Sequence, residues 1–262
     1  VTTSRVITIT PVVPSNSFHL YALALRDAGA DPVRCGAPWR DDDSAGILAG
    51  SSWAYHFGSA TSLAINGQTV AGIAGANPSV AGRFAVTGVP SVFNGDTNNL
   101  TSLSGTGSAT LAANFIYGGT PATVTLQGLV SGRKYVATFL TAGWEAPGGR
   151  KIVFASGSDR FAVDQDQFGD NAGHRIDYDF TADGTTRTVT ISPSSSNPGA
   201  TFHLYGLALR QGSVVTNPCD FGPNSLRQTL TEAGAITGAD TITLDPQIDG
   251  SQITLGSELP VT

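Results

Sequence analysis

The 262-residue chain has no methionine, two cysteines, two lysines and a charged fraction of only 13%. No apolar run approaches the ~18 residues that cross a bilayer as a helix, which speaks against membrane insertion. The formal net charge is −6 and no block of basic residues occurs. A surface that neutralises nucleic-acid phosphates is therefore missing, and no nucleic-acid partner is expected. Two cysteines do not make a disulfide-rich scaffold. The N-terminal VTTSRVITIT lacks the apolar core of a signal peptide, so a removed leader or an internal piece of a longer chain is expected. What is abundant is glycine, at 32, and proline, at 14, within a chain that is 40% hydrophobic. That mixture supplies a core and many turns, and it excludes bulk disorder.

Self-comparison organises the chain. Arg5–Arg26 reads RVITITPVVPSNSFHLYALALR and Arg187–Arg210 reads RTVTISPSSSNPGATFHLYGLALR. With one two-residue gap, 12 of the 22 positions of the shorter copy are identical. Cys35 and Cys219 each lie nine residues after the closing arginine, giving a repeat spacing of 219 − 35 = 184 residues. Each copy alternates polar and apolar residues around a Ser/Asn/Pro-rich turn, the pattern of a β-hairpin. Residues 1–26 are thus expected to be the terminal hairpin of a preceding repeat. Residues 27–46, polar and with Asp41-Asp42-Asp43, read as a linker.

Residues 47–210 carry short strand candidates separated by turns. They include Ser62–Ile65 before Asn66-Gly67, Thr123–Leu126, Tyr135–Leu140, Lys151–Ala155, Arg175–Phe180, Thr188–Ile191 and His203–Leu209. Asn-Gly between strands is the signal of a type I′ hairpin. Strands broken by turns at this density predict an all-β, antiparallel sandwich or jelly roll. HFG, ING, LVSGRKYVATFLTAGWEAPGGRKIVFASG and FHLYGLALR follow in that order. Through Gly132, Tyr135, Val136, Phe139, Gly149, Arg150, Ile152 and Val153, this stretch resembles the galactose-binding-domain-like group, which includes malectin-like domains and several carbohydrate-binding modules. The resemblance implies a β-sandwich and, more distantly, a polysaccharide ligand.

Residues 211–262 change character. Ser225-Leu226-Arg227-Gln228 opens a short amphipathic helix, with Asn224 placed to cap it. Asp240–Asp245 and Ser251–Gly256 each centre on Ile-Thr-Leu and read as strands. The run resembles the N-terminal helix-plus-strand cap of right-handed parallel β-helices in large bacterial surface proteins. That resemblance implies a solenoid further along a longer chain, because a β-helix needs several stacked coils to bury its core.

The candidate chemistry is sparse. Trp53, Tyr117 and Trp144 neighbour glycine-rich turns, where amphipathic rings can serve as sugar platforms. Asp164, Asp166 and Asp170 crowd one loop around Gly169, and hard oxygen ligands at that spacing suit structural Ca²⁺. Cys35 and Cys219 flank the central domain and could close one disulfide across it. His19 and His203 are equivalent within the repeated FHLY and read as packed strand residues. His56 and His174 have no partner at zinc spacing. Glu145, Asp177 and Asp179 cannot be paired into an acid and a base from sequence, and no nucleophile elbow occurs, so no enzymatic activity is expected. The reading is an extracellular or cell-surface, non-catalytic structural or adhesive module of a large repeat protein. Its unpaired hairpin would associate with other copies by strand addition or head-to-tail into filaments. The other reading is a carbohydrate-binding module accessory to a polysaccharide-active β-helix enzyme.

Overall fold

Apolar–polar alternation sets most of the strands. In Ala122–Gln127 the buried residues are Ala122, Val124 and Leu126, every second position, as a sheet with one covered face requires. The computed structural model describes residues 36–95, 103–215, 220, 225–234, 242–244, 248 and 251–259. The chain divides into two units, Val1–Asp31 and Pro32–Thr262. The first unit, with the expected hairpin and His19, lies outside the described residues, as do Cys35, Cys219 and their pairing.

In chain order the strands are β1 (Ala37–Trp39), β2 (Trp53–Phe57), β3 (Leu63–Ile65), β4 (Gln68–Ile73), β5 (Ser79–Val80), β6 (Phe84–Thr87) and β7 (Ser91–Asn94). After helix α1 (Thr106–Leu111) come β8 (Asn114–Gly118), β9 (Ala122–Gln127), β10 (Lys134–Thr141), β11 (Lys151–Ser156), β12 (Asp159–Asp164) and β13 (Gly173–Thr181). Then follow β14 (Thr186–Pro193), β15 (Phe202–Leu204), β16 (Gly206–Gln211), β17 (Ser213–Val215), helix α2 (Leu226–Gly234) and β18 (Ile242–Leu244). One sheet runs β1-β13-β10-β16-β2-β4-β3 and faces a second, β12-β11-β14-β9-β6-β5. A small sheet, β15-β8-β7, lies beside them. Pairing in these three sheets is antiparallel except between β2 and β4. The molecule is a β-sandwich, as its alternation predicts.

Phe57, Phe139, Tyr178 and Leu207 of the first sheet meet Phe84, Val124, Phe154 and Ile191 of the second to form the main core. A second core lies on the outer face of the first sheet. There Trp39, Ile47, Leu111 and Phe115 cover Ala54, Leu140 and Ala208. Strand β10 is consequently buried on both faces, which explains its nearly unbroken apolar run. The described part of the segment read as a linker belongs to this second layer. Its β1 pairs with β13, and Trp39 is fully buried, donating to Ser108 Oγ at 3.0 Å.

The Asn66-Gly67 turn joins β3 to β4 with φ of 50° and 75°, the two positive values that a type I′ turn demands. The expected strand His203–Leu209 is broken at Tyr205. Its first part pairs with β8 and its second with β10 and β2. Tyr205 bridges the break, donating its N–H to Leu140 and accepting from Phe57.

Past β16, strand β17 pairs in parallel with β18. Ser225 Oγ accepts the Gln228 N–H at 3.3 Å and so opens α2, one residue after the cap expected at Asn224, which lies outside the described residues. Ser251–Gly256 is not the expected strand. Its end is tied to side chains instead: Gly256 N–H donates to Asp220, and Arg227 bonds the Ser257 and Glu258 carbonyls. Among the described residues, the segment expected to begin a parallel β-helix shows one helix and one parallel strand pair.

Candidate functional site

The sandwich has two ends, and the residues singled out from sequence divide between them. Strand β10 starts at one end and finishes at the other, where it leads into the 142–150 loop.

At the far end that loop is held by a partly buried polar network. Arg150 pairs with both oxygens of Glu145 and donates to Thr201 Oγ1 at 2.8 Å. Its Nη1 also lies 3.1 Å from His203 Nε2. A guanidinium only donates, so Nε2 is the acceptor, and the opposite nitrogen, Nδ1, donates to the Ala142 carbonyl at 3.0 Å. Burial, with the Arg150 charge adding to it, pushes the His203 pKa down to about 3, so the ring is neutral. Gln165 accepts from Thr141 Oγ1 and the His203 N–H, and donates to the Thr201 carbonyl.

The acidic loop closes the same end. Asp164 Oδ2 accepts the Gly148 N–H at 2.5 Å, and Asp166 Oδ1 accepts the Glu145 N–H at 3.2 Å. Asp166 is fully buried and its Oδ2 has no partner. Burial raises its pKa to about 7, and the neighbouring Glu145 and Asp164 charges push the same way. The Glu145 carboxyl is held below its usual range by Arg150. Asp164 and Asp166 thus meet, but Asp170 does not join them. It bonds Asn171 at the surface, and among the described residues no group of three His, Cys, Asp or Glu side chains could hold a metal ion. The three carboxylates expected to hold Ca²⁺, Asp164, Asp166 and Asp170, do not converge: Asp170 turns to the surface, while Asp164 and one oxygen of Asp166 accept N–H groups of the 142–150 loop.

Tyr117 and Trp144 are brought together here, around Phe115 and His203. Both rings are half-buried, and the Trp144 indole N–H is buried without a partner. They pack as satellites of the second core. His174 Nδ1 at this end donates to the Asp164 carbonyl, 2.9 Å away, and burial lowers the ring's pKa to about 4. His56 bonds the Thr61 carbonyl. Asp177 lies in the first sheet, accepting from Thr138 and pairing with Arg175.

Trp53 is at the opposite end, where β2, β6 and β10 begin and β9 and β16 finish. A crevice of about 300 Å³ opens there between the two sheets. Trp53 and Tyr135 form its apolar wall, and Ser52, Arg83, Gln127 and Gln211 supply polar groups. Trp53 stacks at a tilt on Phe84, with ring centres 5.4 Å apart, and Tyr135 lies parallel to Phe180. Both rings are therefore fixed by the core. The Tyr135 hydroxyl accepts the Val130 N–H at 3.0 Å, which pins the 128–130 turn that forms one lip. On the other lip, Gln127 Oε1 accepts the Gly82 N–H at 3.2 Å, leaving its amide –NH₂ as the group to offer. Sequence reasoning named Trp53 but missed Arg83, Gln127 and Tyr135. Nothing local marks them, since they converge only when the two sheets face each other.

No family model and no curated protein matches the chain. Among solved structures it is similar to the ANXUR2 extracellular domain of Arabidopsis thaliana, with 11% identity and a TM-score of 0.46 over 62% of this chain and 48% of that one. It is also similar to a calcium-binding mutant of Bacteroides uniformis beta-glucuronidase 2, with 15% identity and a TM-score of 0.47 over 66% of this chain and 19% of that one. The chain spans about half the length of the first and a fifth of the second.

Proposed function

We propose that this chain is a non-catalytic carbohydrate-binding module of an extracellular protein, and that the saccharide sits in the crevice beside Trp53. The observation that carries the reading is the crevice itself. It is a concave site of about 300 Å³, at the lower bound of ligand pockets, floored by the edges of two core rings, Trp53 at 6% and Tyr135 at 4% exposure, and rimmed by hydrogen-bonding groups. The ring edges give the crevice an apolar floor, and amide and hydroxyl groups on the rim are placed to meet sugar hydroxyls. No Asp, Glu or His lines it, so it offers no acid–base pair. The carboxylates with divergent protonation, Glu145 and Asp166, are at the other end, and Asp166 has no exposed surface for a substrate. A module of this kind anchors the protein that carries it to a polysaccharide, which is adhesion without chemistry. Head-to-tail assembly through residues 5–26 rests on residues outside those described, and the proposal does not depend on it.

The test is a saccharide microarray followed by calorimetric titration. Ser52→Trp fills the crevice from its rim, and it should abolish binding while leaving the melting temperature within a degree or two. Trp144→Ala, at the far end, should leave affinity unchanged. Binding that survives Ser52→Trp, or binding to no saccharide, overturns the reading.

A further inference from the structure

Among the described residues, Arg83 differs from four other arginines in having no carboxylate partner. Arg150, Arg175, Arg187 and Arg227 each pair with a carboxylate, on Glu145, Asp177, Asp159 and Asp220 respectively. Arg83 has no carboxylate partner among the described residues. Its Nη1 donates to the Ser52 carbonyl at 3.3 Å, a weak anchor that fixes the guanidinium at the crevice rim and leaves most of its five N–H donors unused.

The rest of the lining agrees in sign. Besides Arg83, the crevice presents the Gln127 and Gln211 amides and Ser52, and no acidic side chain. Donors are in excess and no compensating negative charge is present. This happens in a chain whose net charge is −6, so the surface at large repels anions. A cation kept unpaired beside a cavity in an acidic protein is a recognition feature with a definite complement. The planar fork of a guanidinium matches a carboxylate in two parallel hydrogen bonds. The exposed edges of Trp53 and Tyr135 would meanwhile floor the crevice beneath the ring that bears that carboxylate.

We propose that the crevice selects an acidic saccharide, a uronate-bearing chain whose carboxylate is bound by Arg83. This rests on the carbohydrate-binding reading above and narrows it to a ligand class. It also assigns the parts: aromatic floor beneath the sugar, Gln127 amide for a hydroxyl, Arg83 for the charge.

The experiment compares three oligosaccharides of one backbone by calorimetry: the uronate form, the same material with its carboxyls reduced to alcohols, and a sulfated neutral form. The uronate form should bind tightest. Arg83→Gln should weaken it about 10- to 100-fold, the range expected for one charge-assisted contact, while leaving the carboxyl-reduced form within about twofold. Arg83→Lys, which keeps the charge but loses the fork, should fall between. Raising the salt should weaken the wild type and not Arg83→Gln. Unchanged melting temperatures for both variants exclude misfolding as the cause. If the uronate and reduced forms bind equally and Ser52→Trp abolishes both, the acidic selectivity is wrong and the carbohydrate reading stands. If the sulfated form alone binds, the carboxylate assignment is wrong. If none of the three and no other saccharide binds, both proposals fall.

Discussion

At the scale of single residues, burial decides protonation, and the two kinds of titratable group at the far end pull in opposite directions. His174 and His203 have folded pKa values of about 4 and about 3, far below the unfolded value near 6.5, and His56 is lowered by burial as well. Between about pH 4 and 6.5 the His174 and His203 rings are neutral in the folded chain and protonated in the unfolded one. Their contribution is complete above the unfolded pKa and is lost as pH falls. Asp166 behaves conversely, because its folded pKa of about 7 lies above the unfolded value near 3.9. It keeps a proton in the folded chain that the unfolded chain has released, so its contribution is lost as pH rises from about 4 to 7. Linkage gives the sum: more protons bind on unfolding than are released, and stability rises with pH across this window. Asp166→Asn removes the opposing group. The rise should therefore steepen, as measured by urea denaturation at pH 4.5, 5.5 and 6.5. A slope that is unchanged or shallower would show that Asp166 is ionised in the folded protein. None of this is legible in the sequence. Asp164-x-Asp166 reads there as a hydrated metal loop, because burial is set by the 142–150 loop, some twenty residues upstream.

At the scale of elements, turns are the most local feature and the most readable one. Asn66-Gly67 announces its turn because only residues that tolerate positive φ can occupy both central positions. Adding a side chain at Gly67 meets open space, with Ala49 no nearer than 4.0 Å, so conformational strain alone acts there. Gly143 is the opposite case. A Cβ built on it would stand 2.0 Å from Asp166 Oδ1, inside a fully buried carboxylate. Gly67→Ala should destabilise by about 1–2 kcal/mol, the left-handed penalty for an alanine. Gly143→Ala should cost clearly more, because the carboxyl has no space to retreat into. Equal losses for the two, in the same denaturation assay, would mean that the 142–150 loop is not clamped on Asp166. Strands were readable in proportion to their alternation. β9, β10, β11, β13 and β14 appear within a residue or two of their expected bounds. The break at Tyr205 was hidden, since His203–Leu209 alternates no differently from an unbroken strand. It is the pairing of β15 with β8 that draws it aside.

At the scale of the whole molecule, the sandwich follows from the pattern but its second layer does not. Period-two alternation tells which face of a strand is buried, and it predicts two facing sheets. It says little about a sheet covered on both sides, because the covering pieces here are irregular. They are the 37–47 segment, α1 and the β7–β8 strands. Read locally, residues 27–46 are a polar, glycine-rich linker. In the structure Trp39, Ala45 and Ile47 are fully buried against the outer face of β10 and β16, and β1 extends the first sheet beyond β13. Removing a buried tryptophan costs about 3–5 kcal/mol, a large share of a typical stability. The domain that folds should consequently begin before Trp39 and not at residue 47. A chain starting at residue 36 should retain the cooperative unfolding transition of the full-length protein, monitored by near-ultraviolet circular dichroism. A chain starting at residue 47 loses β1 and Trp39 and uncovers Leu140 and Ala208. It should melt about 6–20 °C lower or unfold without a cooperative transition, by the ~2–4 °C per kcal/mol that applies to 150–250 residues. If the two shortened chains melt together, the outer layer contributes packing without stability, and the boundary read from composition is the functional one.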